Sequence, residues 1–139
     1  MSAERNKAAV RRYVDDVFNA GNLAVLDEVI GVNISYREPT RQIDGRDAFK
    51  QGLSAYLATF GNPRLTIDDL VADADRAAFR WTLRGTPTGP VMGVAPTGKE
   101  VTLSGITFLR LERGKFVEWW GHWDVVSLMR QLGAIPAPG

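Results

Sequence analysis

The chain has 139 residues, 45% of them hydrophobic and 24% charged, the balance of one ordinary globular domain spanning 1–139 and long enough to bury its own core. With 17 basic against 16 acidic side chains the net charge is +1, which leaves no basic excess for nucleic acid. No cysteine and a single histidine exclude disulfides, thiolate chemistry and a multi-histidine metal site within one chain.

The opening segment MSAERNKAAVRR is charged and lacks the apolar core of a signal peptide. No apolar run approaches the roughly 18 residues of a membrane span. A cytoplasmic protein without membrane contact is the expectation. Val10, Tyr13, Val14, Val17 and Phe18 recur at helical spacing and predict one helix over residues 3–20, stopped by Gly21. Asn22 suits the N-cap of a second short helix through Leu23, Leu26, Val29 and Ile30, which Gly31 ends. Residues 33–38 read as a strand closed by Pro39, with Ile34, Tyr36 and Glu38 on one face.

A third helix is expected over about residues 47–60, with Phe49, Leu53, Tyr56, Leu57 and Phe60 as its apolar stripe and Gly61 as its stop. Strands follow at 65–71 and 77–83, the second with Phe79, Trp81 and Leu83 on one face. The segment 85–98 is a Gly/Pro/Thr-rich loop; its GVAPTG lacks the spacing of a phosphate-binding loop. A long strand over 101–111 turns through Glu112-Arg113-Gly114-Lys115 into the next. A last helix over 125–132 takes Asp124 as N-cap and Gly133 as stop, and the tail 136–139 is irregular.

The stretch 115–124, KFVEWWGHWD, holds three of the four tryptophans and the only histidine. Alternation puts Val117, Trp119, Gly121 and Trp123 on one face of this strand. Phe116, Glu118, Trp120, His122 and Asp124 fall on the other. Helices segregated from consecutive antiparallel strands make an α+β domain, and a curved sheet around amphipathic helices leaves a concave, apolar pocket.

RRYVDDVFNAGNL, GVAPTG, TLSGITFLRLERGKFVE and the terminal WD…LMRQLG together resemble the SnoaL-like polyketide cyclase family of the nuclear-transport-factor-2-like superfamily. The resemblance runs from about Asn6 to Gly133. It implies a cone-shaped barrel of mostly antiparallel sheet around N-terminal helices, and a cofactor-free site working by proton transfer. It also implies an acid/base aspartate at the position of Gly121 and a histidine at that of Thr107. Glycine moves no proton and a threonine hydroxyl is a weak base, so the family's pair is replaced in this chain.

By the same resemblance Trp119, Gly121 and Trp123 face the cavity with Tyr36, Phe79, Trp81, Leu83, Thr107 and Leu109, a lining for a small, largely apolar, cyclic ligand. Steroid-type isomerases of the superfamily carry an acid before a proline and a tyrosine in the first helix. These match Glu38-Pro39 and Tyr13, which makes Glu38 the candidate base and Tyr13 or Tyr36 the candidate donor. Beside this stand plainer assignments. Tyr13 serves equally as a core tyrosine, Glu38 as a solvated strand end, and the domain as a non-catalytic ligand carrier. His122 and Asp124 share a face as a catalytic pair would, but Asp124 also fits a helix cap. Ile106, Phe108, Phe116, Trp120 and His122 on the outer face of the sheet suggest a homodimer.

Overall fold

Six strands pair in the order β2-β1-β6-β5-β4-β3 in the computed structural model, which describes residues 2–136. They are β1 (Ile30–Glu38), β2 (Arg41–Asp44), β3 (Phe60–Ala72), β4 (Arg76–Pro87), β5 (Val101–Glu112) and β6 (Lys115–Trp123). All neighbours are antiparallel except β1 and β6, which run parallel. The helices are α1 (Ser2–Arg12), α2 (Leu23–Val29), α3 (Arg46–Ala58) and α4 (Val125–Gln131). The sheet is curved and not closed, an α+β cone with the long helices on its concave side. Residues 137–139 of the expected irregular tail lie outside the described residues.

The curvature has local causes. In β3 the pairing with β4 slips between Gly61 and Arg64 and again between Ile67 and Asp69. Each slip inserts an unpaired residue, and such bulges bend a strand and sharpen its twist. At the β5–β6 turn Arg113 (φ 53°) and Gly114 (φ 76°) both take left-handed backbone. That is the two-residue turn whose twist matches a hairpin.

Several boundaries differ from the sequence expectation. The first helix changes hand-hold halfway: Tyr13–Asn19 is a π-helical turn, and Ala20 N–H reaches back five residues to Asp15 O at 3.0 Å. This widened turn still buries Tyr13, Val14, Val17 and Phe18. Gly31 and Gly61 do not stop helices; both lie inside strands, and Ile30 and Phe60 open β1 and β3. Asn22 precedes α2 but makes no side-chain cap bond. The strand β2 follows Pro39 where only a connection was expected.

Phe116 is the largest correction. The register passes from Arg110↔Glu118 to Leu111↔Phe116, so Val117 is an extra residue in β6. The bulge reverses the alternation there, and Phe116 turns inward to full burial instead of joining Trp120 outside. Beyond the bulge the alternation holds: Trp119 and Gly121 are buried, Trp120 and His122 exposed.

Asp124 caps α4, its Oδ1 accepting the Ser127 N–H at 2.9 Å. Asp124→Ala should therefore cost about 1 kcal/mol of stability, read as a lower denaturant midpoint with an unchanged slope. His122 has no such tie to Asp124, and the imagined catalytic pair dissolves into a cap and an exposed ring.

Candidate functional site

The concave face of the sheet and the helices enclose a cavity of about 420 Å³, within the usual size of a small-molecule site. Its wall includes Tyr36, Phe79, Trp81, Leu83, Thr107, Trp119 and Trp123 from the strands, together with Tyr13 and Glu38. Leu109 faces inward but is wholly buried and not on the cavity wall. Gly121 is not on the wall either, because the Glu38 side chain lies over it.

Trp119 is the hub of the apolar part. Its ring meets Tyr13 at 5.2 Å, Tyr36 at 5.3 Å, Phe49 at 5.7 Å and Phe116 at 6.1 Å between centroids. These separations and tilts suit aromatic contacts. Trp81 and Thr107 are tied together, the indole N–H donating to Thr107 Oγ1 at 3.0 Å. Thr107 lies opposite Gly121 in the β5–β6 register. Its hydroxyl oxygen is engaged as an acceptor, an unsuitable setting for a base.

Glu38 is the carboxylate of the cavity, with 12% of its side chain exposed. Strand β1 delivers it: Ile34 and Tyr36 on the same face are buried, and Pro39 ends the strand just past it. Burial pushes its pKa above the ordinary glutamate value. The Tyr36 hydroxyl, the Arg41 guanidinium and, more weakly, His122 act in the opposite direction without cancelling it. A carboxyl group held this way suits proton uptake nearer neutral pH.

Around Glu38 stand three phenols. Burial raises the pKa of Tyr13, Tyr36 and Tyr56, and the Glu38 charge raises each further. All three thus remain protonated donors at any working pH. Arg41, from β2, completes the group. Its Nε is 3.7 Å from Glu38 Oε1, and its guanidinium lies over the rings of Tyr36 at 5.5 Å and Tyr56 at 5.6 Å.

Arg41 and Tyr56 were not among the sequence candidates. Tyr56 sat in plain view in the apolar stripe of α3, where it read as packing. Arg41 was hidden because β2 is four residues long and three of them are polar. Pro90, Val91 and Met92 also reach the cavity from the loop after β4, which the expectation left empty. Among the described residues no group of three or more His, Asp or Glu side chains is arranged to hold a metal ion. No helix is long and apolar enough to cross a membrane.

A concave α+β cone with an aromatic, carboxylate-bearing cavity defines a small-molecule pocket protein of the NTF2-like fold. The sequence profile of the SnoaL-like polyketide cyclases matches residues 8–132, and the chain belongs to that family. Among solved structures it is similar to AclR of Streptomyces galilaeus, named a candidate hydroxylase, at 26% identity and TM-score 0.84, covering 96% of this chain and 99% of that one. TsrD of Streptomyces laurentii is similar at 27% identity and TM-score 0.84, covering 95% and 97%. A LEH-like epoxide hydrolase of M. tuberculosis shares the fold at 14% identity, TM-score 0.78, covering 96% and 93%. No curated protein matches the sequence at a significant level.

Proposed function

We propose that this protein is a cofactor-free enzyme that moves a proton on a small, largely apolar cyclic carbonyl compound, with Glu38 as general base. One observation carries this. A Cβ placed on Gly121 would lie 2.9 Å from Glu38 Oε2. By resemblance, position 121 is where cyclases of the family hold their acid/base group. Here a carboxylate supplied by β1 takes up that same volume, and the glycine leaves room for it. Catalysis lost from one strand is regained from its parallel neighbour.

The step balances without a co-reactant. Glu38 takes a proton from carbon next to the carbonyl, that C–H bond breaks, and its electron pair moves onto the carbonyl oxygen as an enolate. Tyr13 or Tyr36 donates a hydrogen bond to that oxygen. The enolate carbon then attacks a second carbonyl of the molecule, closing a ring, or takes the proton back at a remote carbon, shifting a double bond. Glu38 returns the proton in either case. The test is exchange of the α-protons of 2-tetralone in D2O, followed by NMR. Enzyme-dependent exchange that vanishes in Glu38→Gln supports the reading. A second reading, a non-catalytic carrier, draws on the Gly121 and Thr107 replacements. It predicts 2-tetralone binding, seen as altered tryptophan emission, with no exchange above the buffer rate.

The outer face of the sheet belongs to the same proposal as the contact with a second copy. Ile106 (56% exposed), Phe108 (37%) and Trp120 (47%) form a patch there, with Phe108 opposite Trp120 and Ile106 opposite His122 in the register. Arg110 and Glu118, paired at 2.7 Å, border it. In a two-fold dimer the patch meets itself. Trp120→Glu should convert a dimer to a monomer in light scattering, because it buries a charge with no partner. Wild type already running near the 15.3 kDa of one chain would remove the dimer.

A further inference from the structure

We propose that the indole N–H of Trp119 is the donor that seats the Glu38 carboxylate over Gly121, which makes Trp119 a positioning residue for the base. The proposal rests on Glu38 being the functional carboxylate of the site. Trp119 is 6% exposed, and its Nε1 is a buried donor with no partner among the described residues. Buried polar groups are rarely left this way, since desolvation is then uncompensated. Four rings, those of Tyr13, Tyr36, Phe49 and Phe116, pack around the indole and hold it in place.

The nearest candidate acceptor lies beside Gly121. The point where a Cβ would stand on this glycine is 3.1 Å from Trp119 Nε1 and 2.9 Å from Glu38 Oε2. Donor and acceptor therefore both lie against the space that the missing Cβ of Gly121 leaves open. The terminal carboxylate torsion of glutamate is broad, and its rotation is the movement that would carry Oε2 to the N–H. The ionised carboxylate gains far more from this bond than the neutral acid does. The two oxygens are then addressed separately, Oε1 by Arg41 and Oε2 by Trp119, and the carboxylate is fixed in one orientation beneath the substrate. The other groups facing Glu38 are Tyr13 from the π turn, Tyr36 from β1 and Tyr56 from α3, while His122 stands on the outer face of β6 and acts on the carboxylate only weakly from there. Of these, Tyr36 is also a neutral donor to the carboxylate, and Trp119 is the one that approaches it beside Gly121.

The test uses isotope-labelled full-length protein with no ligand, titrated over about pH 4 to 9 across the carboxylate range. The indole 1H–15N signal of Trp119 is assigned by Trp119→Phe, and the Glu38 carboxyl carbon by Glu38→Gln. The expected result is a downfield move of the Trp119 indole proton with the same midpoint as Glu38. The Trp81 indole, already bonded to Thr107, should not follow it. In Glu38→Gln the Trp119 signal should lie flat, and in Trp119→Phe the Glu38 midpoint should rise by about one pH unit, the scale of one lost hydrogen bond. Should Trp119→Phe fail to fold, Gly121→Ala decides instead. Its methyl group separates donor from acceptor, and the Trp119 titration should be lost. A Trp119 signal that stays flat while Glu38 ionises, or that still titrates in Glu38→Gln, overturns the proposal. No turnover is read, so a flat Trp119 signal beside Glu38-dependent exchange would remove the positioning role alone. Coupled titration without any exchange would remove the catalytic reading alone.

Discussion

Glu38→Gln is expected to lower proton-transfer turnover by about 10²–10⁴-fold, the usual weight of a general base, while making the folded protein more stable at neutral pH. The two effects have one cause. Burial raises the Glu38 pKa in the folded state above its unfolded value. Between those two values the folded chain holds more proton than the unfolded chain, so stability falls as pH rises through that window. Below the unfolded value both states are protonated, and the glutamate costs nothing. Above the folded value the cost is complete. Glutamine never ionises and escapes it. The melting temperatures of wild type and variant should thus coincide in acid, separate as pH rises past the ordinary carboxylate range, and then run parallel. Wild-type exchange should climb over the same window, because only the ionised carboxylate accepts a proton. A variant less stable than wild type at every pH would mean that the pairing with Arg41 outweighs desolvation, and the raised pKa would be wrong in sign. Gain of stability with loss of function marks a group kept for chemistry at the expense of the fold.

How much of this was legible beforehand depended on the range over which each signal acts. Alternation grouped Phe79, Trp81 and Leu83 in β4, and Trp119, Gly121 and Trp123 in β6, because strand periodicity is local and survives without knowledge of partners. Which face looks inward, and the place of Thr107, came from the family resemblance. The bulge at Val117 left no mark in composition, yet it moved Phe116 from one side of the sheet to the other. Gly31 and Gly61 read as helix stops since glycine usually signals one. In the fold Gly31 is instead a close crossing, where an added Cβ would stand 3.1 Å from the Phe116 carbonyl oxygen. The relation between Glu38 and Gly121 was out of reach for a different reason. It is made by the parallel pairing of β1 with β6, which joins Tyr36 to Trp119 across most of the chain. No pattern within either strand encodes that contact. Arg41 was lost with β2, a short polar strand that only its pairing with β1 defines.

Phe116→Ala is expected to be the most damaging single truncation near the site, at about 3–5 kcal/mol, the range for a fully buried phenylalanine. The side chain is fully buried, with its ring 5.9 Å from Tyr13 and 6.1 Å from Trp119 between centroids. Removing it leaves a void that the π turn and β6 cannot close without moving Tyr13 and Trp119, the two rings that frame the Glu38 end of the cavity. Denaturation should therefore show a large fall in midpoint with little change in slope. Binding of an apolar ligand should weaken in the fraction that still folds. Trp120→Ala, on the outer face four residues further on, should cost the monomer little, since its ring is about half exposed. The contrast tests the bulge itself. Were β6 a regular strand, Phe116 would stand outside with Trp120, and the two truncations would have similarly small effects. A loss of less than about 1 kcal/mol for Phe116→Ala, typical of a surface position, would put the phase change at Val117 in error.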